Sequence, residues 1–252
     1  MRSESQIPSS LLNRQHRCDN RELFEKLPDD SVDLILTDPP YKDYQSNRPV
    51  AKPKVKAMQV TQFDLQYFAE ACYRALKPGR HLYCFCDHLT YPEIRNQLEA
   101  VGFTYKNCLV WIKNNHGSGD LKGNWAPQHE FIIFVTKGKG DKLRGRRRSN
   151  VLLKRNNGSL IFYPKVSNYK FNHGTAKPVE LLRDIITTSS DQGDVVLDPY
   201  GGSGSTAEAC MREHRRFILA EIDLQHYLEA EERISSLAKQ IVRKYLQPTQ
   251  AA

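Results

Sequence analysis

The fold of this 252-residue chain is decided by the stretch Val195-Val196-Leu197-Asp198-Pro199-Tyr200-Gly201-Gly202-Ser203-Gly204-Ser205-Thr206-Ala207. An apolar run ending in an acid is typical of a buried strand, and the glycines after it predict a tight turn into a helix. Gly202-x-Gly204-x-x-Ala207 fits the loose pattern of a dinucleotide-binding loop, in which the backbone approaches a ligand closely and a helix N-terminus offers free N–H groups. The stretch therefore predicts a strand–loop–helix unit that binds a nucleotide-like ligand.

Strands and helices alternate along the rest of the chain. Strands are predicted at 32–37, 81–87, 104–112, 129–136, 194–198 and 216–222, and helices at 23–27, 62–77, 91–100, 178–190, 205–213 and 224–246. This alternation predicts an open, largely parallel α/β sheet with helices on both faces, a three-layer fold. The segment 42–61 is predicted to be a mobile loop, and 137–172 an insertion at the edge of the sheet.

Positive charge is concentrated in the predicted insertion. Residues 137–155 hold nine lysines and arginines and one acid, an excess equal to the net charge of +8 of the whole chain. A concentrated block of this kind favours a polyanionic partner, and a solvated charged segment is the alternative.

Cysteines and apolar runs exclude several classes of protein. No stretch approaches the roughly 18 apolar residues of a membrane span, which predicts a soluble, cytoplasmic protein with no membrane partner. The six cysteines lack the spacing of a secreted disulfide framework. Cys84-x-Cys86-x-His88 could place metal ligands on one face of a strand, but zinc sites use a second pair of ligands, so buried, reduced cysteines and no metal are expected.

A second motif, Asp38-Pro39-Pro40-Tyr41, follows the strand 32–37. The two prolines fix φ and donate no N–H, so the turn is stiff and its carbonyls remain available as acceptors. A carboxylate, a carbonyl and an aromatic face suit a planar base with an exocyclic amine. Asp38 and the Pro39 carbonyl would accept the amine hydrogens, and Tyr41 would stack on the ring. A proline-rich turn with an exposed acid and tyrosine is the alternative.

Asp198 restricts which ligand the glycine loop can take. Its negative charge would repel a pyrophosphate but suits a cationic nucleoside without phosphate, such as S-adenosylmethionine. Glu221, at the end of the next strand, is placed to accept from ribose hydroxyls. A nicotinamide-dependent dehydrogenase is the first alternative, although such domains usually open with the glycine loop, and a glycine-rich turn without a ligand is the second.

Taken in order, these motifs resemble the β class of amino-methyltransferases that act on DNA. In that family the catalytic motif comes first, a target-recognition region follows, and the cofactor half comes last. Further segments of the chain are similar to the family: Cys18-Asp19-Asn20, Leu27 to Asp33, Trp111-Ile112-Lys113, His129 to Ile132 with Lys137-Gly138-Lys139, and Thr175 to Leu182, which contains Lys-Pro-x-x-Leu-Leu. The resemblance covers residues 17–236 and departs from the family at Tyr200, where phenylalanine is usual.

The resemblance implies a Rossmann-like, S-adenosylmethionine-dependent methyltransferase fold in three parts. These are a catalytic half at 1–136, a basic target-recognition insertion at 137–172, and a cofactor-binding half with a C-terminal helix at 173–252. The short insertion predicts a small footprint on double-stranded DNA or one shared across a homodimer. The residues expected to contact DNA are Lys139, Lys142, Arg144, Arg146, Arg147 and Arg148.

The resemblance also implies the reaction, a methyl transfer from S-adenosylmethionine to the amine of a flipped base. Asp38, Pro39, Pro40 and Tyr41 are the expected catalytic residues. Cofactor contacts are expected from Asp19, Asn20, Thr175, Lys177, Asp198, Tyr200, Gly202, Ser203, Gly204, Thr206 and Glu221. The family's adenine-N6 enzymes mostly carry Asp before Pro-Pro and its cytosine-N4 enzymes mostly Ser, so Asp38 favours adenine. A cytosine-N4 enzyme and a catalytically silent DNA-binding relative are the alternatives.

Overall fold

The computed structural model describes residues 6–40, 63–114, 123, 125–156, 159–163 and 176–246. A 3₁₀ turn at Ser9–Leu11 precedes the first strand. The strands and helices, in chain order, are β1 (Arg14–His16), α1 (Asn20–Glu25), β2 (Val32–Thr37), α2 (Leu65–Ala75), β3 (Leu76–Cys86), α3 (Tyr91–Ala100), β4 (Phe103–Ile112), β5 (His129–Lys137), β6 (Val151–Leu152), β7 (Lys154–Asn156), β8 (Ser159–Ile161), α4 (Val179–Ser189), β9 (Val195–Asp198), α5 (Ser205–Arg212), β10 (Arg216–Ala220) and α6 (Leu224–Leu246).

Eight of these strands form one sheet in the order β1-β10-β9-β2-β3-β5-β4-β6. Strand β5 runs antiparallel to β3 and β4, and the other neighbouring pairs of this sheet are parallel. β7 and β8 form a separate antiparallel hairpin. The predicted α/β fold with a mostly parallel sheet is confirmed.

Helices cover both faces of the sheet, as a three-layer fold requires. Strand β2 is buried along its whole length, and its side chains alternate between two apolar clusters. Ile35 packs on the side of α1, α2 and α3, with Phe24 and Phe68. Leu34 packs on the other side, with Leu181 of α4. Burial on both faces explains why β2 reads as a continuous apolar run.

Several predicted boundaries differ from the structure. Helix α2 ends at Ala75 and β3 begins directly at Leu76, which pairs with Val32, before an irregularity in the register; the sequence predicted a helix to 77 and a strand from 81. Helix α1 begins at Asn20 because the Asp19 side chain caps it by accepting the Arg21 N–H at 2.8 Å. Strands β1, β6, β7 and β8 have only two or three residues each and were not predicted. The predicted loop 42–61 lies outside the described residues.

The carboxyl ends of β2, β3, β9 and β10 meet at one edge of the sheet, here called the site edge. The registers Thr37 with Cys84, Ile35 with Leu197, and Leu219 with Asp198 bring these ends together. Because β5 is antiparallel, it begins at this edge, with Phe131 opposite Cys86. The amino ends of the parallel strands form the opposite edge. Strand β2 pairs with β3 on one side and with β9 on the other, so the order of the strands reverses between β2 and β9. Open α/β sheets bind their ligands at the carboxyl ends of the strands beside such a reversal.

None of the described helices combines the length and apolar composition needed to cross a membrane.

The predicted division of the chain into three parts, at 136/137 and 172/173, stays a prediction. Strand β2 of the predicted catalytic half and β9 of the predicted cofactor half are neighbours in the same sheet.

Candidate active site

The proline motif lies at the centre of the site edge. Strand β2 ends at Thr37, so Asp38 and Pro39 leave the sheet between the carboxyl ends of β3 and β9. Pro39 is buried, while about a quarter of the Asp38 side chain is exposed. The motif is therefore held rigidly by the sheet with its carboxylate partly open to a ligand. Tyr41 lies outside the described residues.

Lys177 forms an ion pair with Asp38. The Lys177 ammonium contacts Asp38 Oδ2 and lies 3.3 Å from Glu130 Oε2. Only 9% of the Lys177 side chain is exposed, and its ammonium is 5.1 Å from the centre of the Phe85 ring. Burial on its own would lower the pKa of Lys177, but the Asp38 and Glu130 carboxylates raise it above its ordinary value, so the side chain stays charged.

Glu130 connects this ion pair to a second lysine. Its Oε1 lies 2.6 Å from the ammonium of Lys113, which follows the last residue of β4. Burial alone would raise the pKa of Glu130, but the ammonium groups of Lys177 and Lys113 lower it. Four side chains of alternating charge, Lys113, Glu130, Lys177 and Asp38, therefore run along the site edge. We call them the charge row.

The glycine loop between β9 and α5 is tied down by its neighbours. Gly202 has φ +50°; its carbonyl accepts from Gln15 Nε2 at 3.0 Å, and its N–H donates to Glu221 Oε2 at 3.0 Å. Gly204 has φ +76° and precedes α5, where a Cβ would lie 2.9 Å from the Ala230 Cβ. Glycine is required at 204 by both its left-handed conformation and its contact with α6.

Asp198 fixes the start of this loop. Its Oδ1 accepts from the Tyr200 N–H at 3.1 Å, and its Oδ2 accepts from the Thr206 hydroxyl at 2.7 Å. Only 4% of the residue is exposed. Burial raises the pKa of Asp198 to about 6, although both hydrogen bonds oppose that shift. Asp198 therefore shapes the loop at least as much as it presents charge to a ligand.

Replacing Asp198 by asparagine is expected to stabilise the protein at pH 7. Because the folded-state pKa of Asp198 is about 6, keeping it ionised at pH 7 costs the wild type about 3 kcal/mol of folding stability. The asparagine variant avoids this cost but loses one hydrogen bond, which offsets about half of the gain. The wild type recovers this stability as the pH falls from above 6 to below 4. Thermal unfolding of Asp198→Asn should show a gain of about 1–2 kcal/mol at pH 7 that becomes a loss of about 1 kcal/mol near pH 4, where mainly the lost hydrogen bond remains. An equal difference at both pH values would contradict the assigned ionisation.

A pocket beside the proline motif gathers several of the predicted cofactor residues. Asp19, Asn20, Tyr200 and Pro40 line it, together with Arg21, Phe63, Asp64 and Tyr67. The Asn20 amide donates to the Tyr200 hydroxyl at 2.5 Å, and Tyr200 packs on Phe63 with ring centres 6.0 Å apart. An aromatic ring, an amide and a carboxylate around one pocket suit a purine nucleoside. The pocket lies next to Asp38 because Pro40 belongs to both.

Of the remaining predicted cofactor residues, some shape the glycine loop and others do not contact it in the described part of the chain. Ser203 and Thr206 are buried in the glycine loop. Both carboxylate oxygens of Glu221 accept backbone N–H groups, from Gly202 at 3.0 Å and from Asp223 at 2.8 Å, and burial raises its pKa. Glu221 thus holds the loop in place while keeping lone pairs for a ligand hydroxyl. Lys177 contacts Asp38 instead of the loop, and Thr175 lies outside the described residues.

The family model described as DNA methylase matches residues 32–232, which contain the proline motif, the charge row and the glycine loop. The chain belongs to the DNA methylase family. Among its relatives, the type II methyltransferase M.HpaI of Haemophilus parainfluenzae is 30% identical over 243 residues, which cover 87% of this chain and 73% of that protein. The DNA adenine methyltransferase YhdJ of Escherichia coli K12 is 29% identical over 234 residues, which cover 81% of this chain and 76% of that protein.

Solved structures share the fold of this DNA methylase. A crystal structure of an M1.HpyAVI–SAM complex superposes with a TM-score of 0.64 and 24% identity, and the match covers 87% of this chain and 98% of that chain. The cytosine-N4-specific PvuII DNA methyltransferase also gives a TM-score of 0.64, with 19% identity over 91% of this chain and 92% of that chain. At these identities the likeness shows the fold alone.

The first part of the basic segment of this DNA methylase runs along the opposite edge of the sheet. Lys139 and Lys142 follow Thr136, which pairs with His81 at the amino end of β3, and the Asp141 N–H donates to Gly79 at 2.8 Å. Their position separates both lysines from Asp38 by the length of the sheet. Contact of Lys139 and Lys142 with DNA stays a prediction.

The arginines of the segment lie along α4. Arg144 forms a two-pronged ion pair with Asp191, with contacts of 2.6 and 3.2 Å, and Arg148 lies 3.6 Å from Asp184. Arg146 and Arg147 are exposed between them. The chain then reaches β6, which pairs in parallel with the last part of β4 and so leads to the site edge. The backbone of the β7–β8 hairpin continues from there, so the part of the insertion that lies toward the active site is 151–161 and not its beginning.

The cysteines of the DNA methylase are free thiols. Cys84 and Cys86 are buried in the core, and burial raises the pKa of each thiol well above its ordinary value. Within the described ranges, no three Cys, His, Asp or Glu side chains are grouped as metal ligands would be.

Sequence reasoning gave no role to Glu130 or Lys113, and it placed Lys177 with the cofactor. The sequence shows only an acid at the start of an apolar strand and two lysines at strand or helix boundaries. Such residues are common on protein surfaces, so they do not indicate a site. Only the antiparallel direction of β5 shows that Glu130 lies at the site edge. The orientation of one strand therefore decides the composition of the charge row.

Proposed function

We propose that this DNA methylase transfers a methyl group from S-adenosylmethionine to the N6 amine of adenine in double-stranded DNA, in the cytoplasm. The observation that carries the proposal is the junction of two sites at Pro40. On one side lies the Asp38 carboxylate, and on the other lies the pocket of Asp19, Asn20 and Tyr200. A methyl donor and an amine acceptor must meet at such a junction.

The residues present fit S-adenosylmethionine. A pocket lined by Tyr200, Asn20 and Asp19 offers a ring face, an amide and an acceptor for an adenosine, and the charge of Asp198 disfavours a phosphate beside the glycine loop. The N-terminus of α5 and the loop residues Gly202 to Thr206 can hold the amino-acid portion of the cofactor. The complex of M1.HpyAVI with SAM supports this assignment by analogy of fold.

S-adenosylmethionine would supply an electrophilic methyl group: its bond to sulfur breaks, leaving the electron pair on sulfur, as the bond to the amine nitrogen forms. The nitrogen then loses one proton, to Asp38 or to water, which leaves the methylated base neutral. Asp38 accepts one amine N–H and the Pro39 carbonyl accepts the other. These hydrogen bonds turn the nitrogen lone pair away from the ring and toward the methyl group. The contribution of the protein is orientation and electrostatics, without a covalent intermediate. Tyr41 stacks on the flipped base in this proposal.

The target base is proposed from two observations. Asp38 stands where the family's adenine-N6 enzymes mostly carry aspartate, and the relative YhdJ is named a DNA adenine methyltransferase. Cytosine-N4 transfer is the second candidate, because the PvuII enzyme of that specificity has the same fold and cytosine presents a similar amine. A catalytically silent DNA-binding relative is the third.

DNA contact is proposed for the later part of the insertion. Arg146 and Arg147 are exposed beside α4. From there the chain runs through β6 to the β7–β8 hairpin, toward the site edge where a flipped base would enter. Lys139, Lys142 and Arg144 would act on DNA only through long-range attraction of phosphates. A homodimer stays a prediction and is tested by light scattering with and without DNA.

The proposal is tested by methyl transfer to DNA. Purified protein is incubated with methyl-labelled S-adenosylmethionine and genomic DNA from a methylation-deficient bacterium, and the DNA is digested to nucleosides. Label in N6-methyldeoxyadenosine is expected. Label in N4-methyldeoxycytidine would replace adenine by cytosine in the proposal, and DNA binding without any labelled nucleoside would favour the silent relative.

A further inference from the structure

The charge row contains two ionic side chains, one buried and one mostly buried, that the proposed chemistry does not itself require. The side chains of Glu130 and Lys177 are only 18% and 9% exposed. Burying a charge is costly unless a partner of opposite charge compensates for it, and such pairs often contribute little net stability. A row of this kind is therefore better explained by what it does at Asp38 than by its effect on folding.

Besides β2, which is followed directly by Asp38, three separate elements bring the row together. Lys113 follows the end of β4, Glu130 is the second residue of β5, and Lys177 lies two residues before α4. The charges alternate, with contacts of 2.6 Å from Lys113 to Glu130 and 3.3 Å from Glu130 to Lys177. Since β4 and β5 are paired along their whole length, Lys113 and Glu130 form a fixed base under Lys177.

We propose that Lys177 and Glu130 are positioning residues for the methyl transfer: Glu130, held by Lys113, fixes the Lys177 ammonium, and Lys177 fixes the Asp38 carboxylate in the orientation that accepts the amine. This inference rests on the proposed function and assigns Lys177 to the acceptor base instead of the cofactor. A contact at Oδ2 restricts rotation of the carboxylate. The plane of its oxygens is then set before the base arrives.

The row also favours the charged form of Asp38. In the part of the chain that the structure describes, the titratable groups that face Asp38 include Lys177 and Glu130, Asp198 on β9, and the thiols of Cys84 and Cys86 on β3. Burial keeps both thiols neutral. Lys177 is thus the cation next to a carboxylate that accepts a hydrogen bond more strongly when it is ionised, while Asp198 acts in the opposite sense.

The test is Lys177→Met, studied in single-turnover methyl transfer to the same genomic DNA and by calorimetric titration with S-adenosylmethionine. The rate is expected to fall by about 10²-fold, because the carboxylate loses its fixed orientation. The cofactor dissociation constant should stay within about threefold, since Lys177 contacts Asp38 and not the loop. The acid limb of the pH–rate profile should move up by about one pH unit, because a carboxylate without its cation is protonated more easily.

Three further variants complete the design. Lys177→Arg keeps the charge and should recover part of the rate and the original acid limb. Glu130→Gln keeps the size of the side chain and should reduce the rate by about tenfold by loosening Lys177. Lys77→Met is the matched control: Lys77 pairs with Asp33 at 2.8 Å at the opposite edge, and Arg80 remains to pair with Asp33, so rate and pH profile should not change.

Two results would overturn the inference while leaving the proposed function intact. One is a Lys177→Met protein with a rate and an acid limb like the wild type. The other is a fall in rate matched by an equal fall in cofactor affinity, which would make Lys177 a cofactor ligand. If Lys177→Met does not fold, Glu130→Gln decides alone, and an unchanged rate would reject the row. Failure of the wild type to label any DNA would instead remove the proposed function.

Discussion

Asp38→Ala is expected to reduce single-turnover methyl transfer by about 10³-fold or more while leaving S-adenosylmethionine affinity within about threefold. The substitution removes the acceptor that orients the amine, but it leaves the pocket of Asp19, Asn20 and Tyr200 in place. Rate is measured with methyl-labelled cofactor and excess enzyme, and affinity by calorimetry. The loss should appear in the chemical step and not in binding.

Asp38→Asn is the matched control for this substitution. It keeps one acceptor oxygen and the shape of the side chain, but it also places an NH₂ group near the Lys177 ammonium, with which it cannot form an ion pair. Its rate should lie between those of the wild type and the alanine variant. A rate for Asp38→Ala within tenfold of the wild type would remove Asp38 from the reaction.

Gly204→Ala is expected to lose about 3 kcal/mol of stability and at least tenfold in cofactor affinity. Its φ of +76° is strained for alanine, and the added Cβ would lie 2.9 Å from the Cβ and 3.2 Å from the Cα of Ala230. Ala230 is a residue of α6, and the short contact involves its Cα as well as its Cβ. The contact can therefore be relieved only if the loop or the helix moves. Both movements disturb the loop that is proposed to hold the cofactor.

Gly193→Ala separates the two causes. Gly193 has φ +83° but nothing within 4 Å of an added Cβ, so its substitution adds the conformational strain alone, about 1–2 kcal/mol. Denaturant unfolding of both variants gives the difference that belongs to Ala230. Ala230→Gly in the Gly204→Ala background should recover part of that difference. If Gly204→Ala and Gly193→Ala lose the same free energy of unfolding, the contact with α6 does not contribute to the loss.

The sequence predicts those elements whose burial pattern is strong. Strand β2 has the bounds predicted for it because all six of its residues are buried, and α3 is also predicted with its observed bounds. Strand β1 was missed because Arg14–His16 is short and polar and is stabilised by pairing with β10. That pairing joins residues about 200 positions apart, a distance over which local periodicity carries no information.

The site was predictable where a motif and a strand end coincide. Asp38, Asp198 and Glu221 lie at the site edge because each follows or ends a strand of the parallel part of the sheet. The ion pair of Lys177 with Asp38 was not predictable, since it depends on how the start of α4 lies over β2 and β5. The position of the basic segment was also not predictable from its charge. A run of cations says which partner is favoured but not along which edge of a sheet the run lies.

Sequencing with modified-base detection tests the central claim most directly. DNA is taken from methylation-deficient cells that express either the wild type or Asp38→Ala. N6-methyladenine is expected within one short sequence context in the wild-type sample and not in the Asp38→Ala sample. Unmodified DNA from wild-type cells that contain folded protein, or equal modification in both samples, would contradict it.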